Sequence, residues 1–231
     1  MLGEYRTLLQ TGHMTESGGP TTQAGIDYQN RIVALYLGDL LSLDGETSAR
    51  VIAVRVEAPD HVDDVVVKYA DGQRRWIQAK LTLTTGGDAW QKVWRAFHAQ
   101  RHAPEFSSAD RLCLTMGEDG ALARSLRECG SRTTSSDDAE WRARLTKPQL
   151  KLTEGIDAVI GGSSFAIFQR LDVEILTPTQ IQSLAVERAP PSNQVPAALL
   201  SILQTIASDG AGKRQRFQAA ALRERLRSEH S

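Results

Sequence analysis

A hairpin between residues 64 and 80 constrains the fold of this chain more than any other segment. Its two arms are rich in Val, Ile, Tyr and Trp, the residue types that favour β-strands, and Asp71-Gly72 lies between them. An Asp-Gly pair between two such runs is a strong hairpin signal, because Gly adopts a positive φ without steric cost. The segment therefore predicts two antiparallel strands of a larger sheet.

The length of the hairpin loop decides which residues face each other across the two strands. A type I turn with Gly72 in the left-handed conformation gives a three-residue loop, which pairs Tyr69 with Gln73. This register places Asp64 opposite Gln78. We favour this register over the two-residue alternative.

Alternation along each strand then groups the polar side chains on one face. Asp64, Gln78 and Lys80 share that face, while the opposite face carries the apolar residues of a buried layer, Val65, Val67, Ile77 and Ala79. A two-residue loop would shift the register by one and bring Asp63 to the polar face instead. Asp63 is therefore kept as the alternative to Asp64.

An acid, an amide and an amine on adjoining strands are typical of a metal-dependent phosphodiesterase site. Phosphodiester hydrolysis builds negative charge, so it requires a divalent cation, a positioned water and a further positive group. Mg²⁺ prefers oxygen ligands, which Asp64, the Gln78 amide and the Ala79 carbonyl supply. Lys80 is suited to act on the water or on the developing charge. Glu57 and Asp63 are candidate second acids.

These residues resemble the motifs of the PD-(D/E)xK nuclease superfamily. Asp64 and the Gln78-x-Lys80 pair are similar to the second and third motifs of the Mrr-like branch, which carries Gln in place of Glu. Gln29, near the start of an apolar helix, matches the position on the first helix of the family that faces the site. The resemblance covers residues 25–116.

The resemblance implies a fold, a reaction and partners. The fold is α/β, with a restriction-endonuclease-like core of a helix, a three-stranded meander, a helix and a strand, followed by added C-terminal helices. The reaction is hydrolysis of double-stranded DNA with Mg²⁺ or Mn²⁺, as the effector of bacterial antiphage defence or restriction. Homo-oligomers, and a fused or separate sensor or ATPase regulator, are the implied partners.

Hydrophobic periodicity predicts the remaining core elements. Apolar residues from Tyr28 to Leu41 form a helical stripe, and Asp88 is placed to cap a helix that carries Trp90, Val93, Trp94 and Phe97 at helical spacing. Residues 111–116 predict a strand. Beyond it the pattern predicts helices around 120–128, 138–145, 149–160 and 164–171, then a brief strand at 172–176.

The chain is predicted to have one main domain with appendages. Residues 1–24 are expected to be a flexible leader, and residues 25–187 the nuclease domain, with its core at 25–116 and helical additions at 117–187. Residues 188–231, which begin with three prolines in 190–196, predict a linker and a C-terminal helical segment.

Composition limits the function classes. In a chain of 231 residues with a net charge of −1, no run is long and apolar enough for a membrane span, and no signal peptide is evident. The cytoplasm is therefore the expected location. Two cysteines, Cys113 and Cys129, are too few for a disulfide framework.

A near-neutral protein needs a local basic surface to bind DNA, because its affinity depends on contacts with phosphates. The second core helix supplies Arg95, His98 and Arg101, and the hairpin supplies Arg74. These four residues are the predicted DNA contacts.

Our main hypothesis is an enzyme, a Mg²⁺-dependent endodeoxyribonuclease. In it Asp64 binds the metal, Gln78 completes or orients the metal shell, Lys80 acts on water or charge, and Gln29 supports the site. The alternative is a catalytically inactive nuclease-like module that binds DNA or mediates assembly. A helical interaction protein with an incidental hairpin is a third hypothesis.

Overall fold

The chain folds as a mixed α/β structure around one six-stranded sheet. The computed structural model describes residues 19–42, 50–58, 60–62, 64–134, 137–187 and 196–230. In chain order its elements are α1 (Gly19–Leu41), β1 (Val51–Val56), β2 (Val65–Tyr69), β3 (Arg74–Lys80), α2 (Asp88–His102), β4 (Arg111–Met116), α3 (Ala121–Ser131), α4 (Asp138–Ala143), α5 (Lys147–Ile160), α6 (Phe165–Phe168), β5 (Leu171–Ile175), α7 (Pro178–Glu187), α8 (Pro196–Ala211), β6 (Arg216–Phe217) and α9 (Ala219–His230).

The hairpin between β2 and β3 has the predicted three-residue register. Tyr69 N donates to Gln73 O at 2.9 Å, and Gly72 has φ +91°, a conformation that glycine adopts more readily than other residues. The ladder pairs Val65 with Ile77, so Asp64, one residue earlier, lies opposite Gln78. The preferred register is confirmed.

The strand order of the sheet is β5-β4-β3-β2-β1-β6. Strands β1, β2 and β3 form an antiparallel meander, and β4 and β5 extend it in parallel. A parallel pair needs a crossover, which α2 supplies between β3 and β4. The predicted order of helix, meander, helix and strand is observed in α1 through β4, and the α/β class is confirmed.

Helices bury both faces of the sheet. The face that carries Val65, Val67, Ile77 and Ala79 packs with α1, α7, α8 and α9, as their shared apolar cluster shows. The other face packs Val66 and Trp76 with α2, α3, α5 and α6, around a group of rings that includes Trp94, Trp141 and Phe168. Polar residues of the sheet must therefore lie near its ends or edges, or bind one another.

Several boundaries differ from the sequence-based expectation. Helix α1 begins at Gly19, so the last residues of the expected leader are helical. The N-cap of α2 is Gly87, and Asp88 is the first helical residue, where its charge favours the helix dipole. Helix α7 and strand β6 were not predicted. The rest of the leader, the linker at 188–195 and Asp63 lie outside the described residues.

Within the described parts of the chain, no helix combines the length and the apolarity that a bilayer crossing requires.

Candidate functional site

Asp64 and Lys80 form an ion pair at the end of the hairpin. Asp64 Oδ2 accepts hydrogen bonds from Lys80 Nζ at 2.9 Å and from the backbone amide of Ala79 at 2.8 Å. Strand β2 begins at Val65, opposite Ile77, so the Ala79 amide lies beyond the last pair of the ladder. The carboxylate replaces the missing strand, and a buried backbone donor is thereby satisfied.

Gln78 lies between these groups in sequence but is almost fully buried. Only 5% of it is exposed, and the register places it directly across from Asp64. The structure therefore brings Asp64, Gln78, Ala79 and Lys80 to one end of the hairpin.

Asp64 also lines a small cavity of about 230 Å³ beside α1, which we call the acidic pocket. Its polar walls are Gln29 and Asn30 from α1, Glu57 after β1, Asp64, and Arg214 from the turn before β6. The predicted residues Gln29, Glu57 and Asp64 thus meet, whereas Gln78 and Lys80 are not among the residues that line the cavity. The sequence analysis predicted neither Asn30 nor Arg214 at this site.

Two walls of the acidic pocket have unusual backbone conformations. Glu57 has φ +42° and Arg214 has φ +50°, values that are uncommon for residues other than glycine. Glu57 N donates to Asp64 O at 3.3 Å, which joins the residue after β1 to the residue before β2. Each such conformation costs about 1–3 kcal/mol and is retained only where the surrounding structure enforces it.

The acidic pocket is a poor match to a complete magnesium site. Among the described residues, no three His, Cys, Asp or Glu side chains are grouped so that they could hold a metal ion. One oxygen of Asp64 already binds the Lys80 ammonium and the Ala79 amide. Glu57 and Gln29 are the other oxygen ligands within reach of the cavity. The prediction of Mg²⁺ or Mn²⁺ stays a prediction.

The four predicted DNA contacts do not form one free basic surface. Arg74 binds the fully buried Asp110 at 2.6 Å and lies over the Trp76 ring at 5.0 Å. Arg101 lies over the Phe106 ring at 5.6 Å. His98 packs on His102 with ring centroids 4.5 Å apart, and burial, followed by the charge of His102, lowers the pKa of His98. Arg95 is exposed on α2.

A second cavity of about 250 Å³, which we call the basic pocket, lies on the α2 side of the sheet. Four cationic side chains, Arg55, Lys68, Arg74 and Arg216, line it together with Trp76. Its remaining walls are Ala53, Asp60, Val66 and Glu105. Of these four cations, only Arg74 is among the predicted DNA contacts. Arg55 and Lys68 are the charged residues of the otherwise largely apolar strands β1 and β2, and the face that each occupies can be assigned only once the register is known.

No protein-family model matches this chain, and no curated protein matches it. The chain is similar in structure to the Acinetobacter baumannii Cap4 SAVED/CARF-domain containing receptor with the cyclic trinucleotide 3′3′3′-cAAA, with TM-score 0.52 and 16% identity over 89% of this chain and 49% of that one. The same receptor solved without a named ligand gives TM-score 0.51 and 15% identity over 89% and 48%. The same receptor with the cyclic trinucleotide 2′3′3′-cAAA gives TM-score 0.50 and 15% identity over 89% of this chain and 46% of that one.

At these identities the likeness shows a shared fold. The chain spans about half the length of the receptors that it matches. All three structures are described as a SAVED/CARF-domain containing receptor, and two of them include a cyclic trinucleotide. Any ligand of this chain is therefore a matter for a proposal.

The comparisons correct the identification made from the sequence. The matched structures are described as SAVED/CARF-domain receptors and not as PD-(D/E)xK nucleases, so the predicted family is contradicted, and a restriction-endonuclease core is not shown. The predicted enzyme, a Mg²⁺-dependent hydrolase acting on double-stranded DNA, is contradicted with it, as are the nuclease, endonuclease and DNA-binding descriptions and the catalytic role of magnesium. Metal binding itself stays a prediction. The physical source of the error is that a short motif can predict which side chains lie close together but cannot predict what reaction, if any, they perform. Asp64 and Lys80 meet as predicted, yet they meet as an ion pair that closes a strand end.

Proposed function

We propose that this chain is part of a receptor for a cyclic oligonucleotide and contributes to ligand recognition. The observation that carries the proposal is the match over 89% of the chain, at TM-score 0.52, to a receptor solved with a cyclic trinucleotide. Bacterial antiviral defence remains the proposed setting, the cytoplasm the proposed location, and a homo-oligomer or a regulator the proposed partner.

The chemistry of such a ligand sets what a binding surface must contain. Each nucleotide unit carries one anionic phosphodiester and one base, so recognition needs cations for the phosphates and planar or hydrogen-bonding groups for the bases. Arginine supplies both, because its guanidinium forms paired hydrogen bonds and stacks on rings. The described residues contain a pocket of this composition, which is an independent reason to test binding.

Direct titration of the chain tests the proposal. We expect 3′3′3′-cAAA to bind in isothermal titration calorimetry and to raise the midpoint of thermal unfolding, since a ligand that binds only the folded state adds about 2.7 kcal/mol of stability at 100 times its Kd. Linear triadenylate, with one phosphodiester fewer and no closed ring, is the control and should bind more weakly.

A folded chain, verified by circular dichroism, that shows neither heat nor a thermal shift with cyclic trinucleotides of either linkage would contradict the proposal. Equal affinity for the linear and cyclic forms would contradict recognition of a cyclic ligand.

A further inference from the structure

The basic pocket concentrates positive charge that the rest of the protein only partly neutralises. Four cations face two carboxylates, Asp60 and Glu105, across a cavity of about 250 Å³. Arg74 is neutralised by the buried Asp110, whereas the closest approach of Arg55 to Asp60 is 4.0 Å. In the described part of the chain, Lys68 and Arg216 form no ion pair. The pocket therefore retains an excess of positive charge.

Strand pairing forces these cations together in a way that does not favour folding. Arg55 on β1 pairs directly with Arg216 on β6, and Lys68 on β2 pairs directly with Arg74 on β3. Like charges directly opposite each other across two strands are destabilising. An anion-binding site requires cations that are close together. A surface with a purely structural role would avoid two such like-charge pairs beside one cavity.

Trp76 supplies a second and independent indication of a ligand. The residue is 2% exposed and lines the basic pocket, and its indole nitrogen Nε1 has no hydrogen-bond partner among the described residues. An indole N–H can only donate, and a buried donor without an acceptor is unfavourable. An oxygen of a bound ligand would satisfy it. The Arg74 guanidinium lies over the Trp76 ring at 5.0 Å, and both residues line the cavity.

The chemistry of the walls defines the ligand class. Guanidinium and ammonium groups together with an N–H donor match the oxygens of a phosphate, and arginine binds phosphate through paired hydrogen bonds. The cavity is smaller than the roughly 300–1,000 Å³ that is usual for small-molecule sites, so it suits one nucleotide unit and not a whole cyclic trinucleotide. The acidic pocket is unsuited to this role, because Glu57 and Asp64 would repel the phosphate.

We infer that the basic pocket binds one phosphodiester of a nucleotide ligand, held by Lys68, Arg216 and Arg55, with the Trp76 N–H donating to it. The inference rests on the proposed function for the identity of the whole ligand, and the pocket itself is tested separately with a simpler anion.

Calorimetry with 3′3′3′-cAAA on wild type and on Lys68→Gln, Arg216→Gln and Trp76→Phe provides the test. We expect each charge removal to weaken binding about 10-fold to 100-fold and to reduce the slope of log K against log salt by about one. Trp76→Phe retains a ring and loses the donor, so a weakening of several-fold is expected. Lys151→Gln removes the same charge from the exposed surface of α5, outside the lining of the basic pocket, and is the matched control, with unchanged affinity.

Inorganic pyrophosphate is the second probe. We expect it to bind wild type more strongly than it binds Lys68→Gln, and to compete with the cyclic trinucleotide. If wild type binds the trinucleotide and all three variants bind it equally well, the inference is overturned while the proposed function stands. If wild type does not bind the trinucleotide but binds pyrophosphate, and Lys68→Gln and Arg216→Gln weaken that binding, the proposed function fails and the phosphate site is supported. If the binding of neither the trinucleotide nor pyrophosphate depends on these residues, the inference is overturned.

Discussion

The two pockets of this protein treat their charges in opposite ways. In the acidic pocket, Asp64 is neutralised by Lys80 at 2.9 Å and tied to the backbone of β3. In the basic pocket, Lys68 and Arg216 each lie across the strand from another cation, and neither forms an ion pair within the described residues. A charge that is already paired stabilises the fold, whereas a charge that is placed against its own kind gains stability only when something binds to it. The difference indicates that the first site is mainly structural and that the second is arranged for a ligand.

The largest expected effect is at Asp110, a buried acid that neutralises Arg74 in the wall of the basic pocket. Its side chain has no solvent exposure, and it accepts hydrogen bonds from both the backbone and the side chain of Arg74. We expect Asp110→Ala to lower the free energy of unfolding by about 3 kcal/mol, because the partly buried Arg74 loses its ion-pair partner and the backbone amides of Arg74 and Ser107 lose their acceptor. Urea denaturation measures the change.

Asp119→Ala is the control, since Asp119 pairs with Arg124 on the surface, where both side chains are more than half exposed. A change within about 0.5 kcal/mol is expected there. Equal losses in the two variants would show that Asp110 has no special role beneath the pocket.

The structural role of Asp64 predicts a smaller loss that depends on the substituent. Asp64→Ala removes the acceptor for the Ala79 amide and the partner of Lys80, at an expected cost of about 2 kcal/mol. Asp64→Asn keeps a side-chain oxygen that can accept the hydrogen bond from the Ala79 amide, so this variant should lose about half as much stability. If both variants unfold at the same urea concentration as wild type, Asp64 does not close the strand end, and the contrast between the pockets is lost.

The magnesium prediction can be tested at the same residue. If Glu57, Asp64 and Gln29 do hold Mg²⁺, the ion at ten times its Kd should add about 1.4 kcal/mol to the free energy of unfolding. Asp64→Asn should abolish that gain. Thermal unfolding with MgCl₂, and with CaCl₂ as a control for ionic strength, measures it. A gain that persists in the variant would place the ion elsewhere.

The smallest expected effect is a gain in folding stability, whereas the substitutions of Asp110 and Asp64 are expected to lower it. Without ligand, Lys68→Gln removes a like-charge pair with Arg74 and should raise the free energy of unfolding by up to about 0.5 kcal/mol. The gain should shrink in 0.5 M salt, because salt screens repulsion at the surface. Arg95→Gln on the exposed face of α2 should show neither effect. A stability loss in Lys68→Gln would mean that this lysine already has a partner.

Local signals in the sequence were sufficient for the hairpin and for α2. The Asp71-Gly72 turn set the register because only a positive φ at residue 72 joins these strands in this way, and that φ is observed. The buried face of α2, which includes Trp90, Val93, Trp94 and Phe97, follows the predicted helical spacing.

Structural features that depend on contacts between residues far apart in the chain could not be predicted from the sequence. Strand β6 is only two residues long and exists because it pairs with β1, more than 150 residues earlier. The basic pocket needs that pairing, since Arg216 joins Arg55 through it. The function was mispredicted for a related reason, because the sequence could place Asp64 beside Lys80 and could not show that each would satisfy the other.

The buried amide of Gln100 links α2 to the segment between β1 and β2. Its side-chain oxygen accepts from the backbone amides of His61 and Val62, at 3.2 and 3.3 Å, and the residue has no solvent exposure. That segment contributes Asp60 to one cavity and Asp64 to the other. Through Gln100, helix α2 therefore anchors the residues beside Asp60, so one wall of the basic pocket depends on a side chain that does not itself line the cavity.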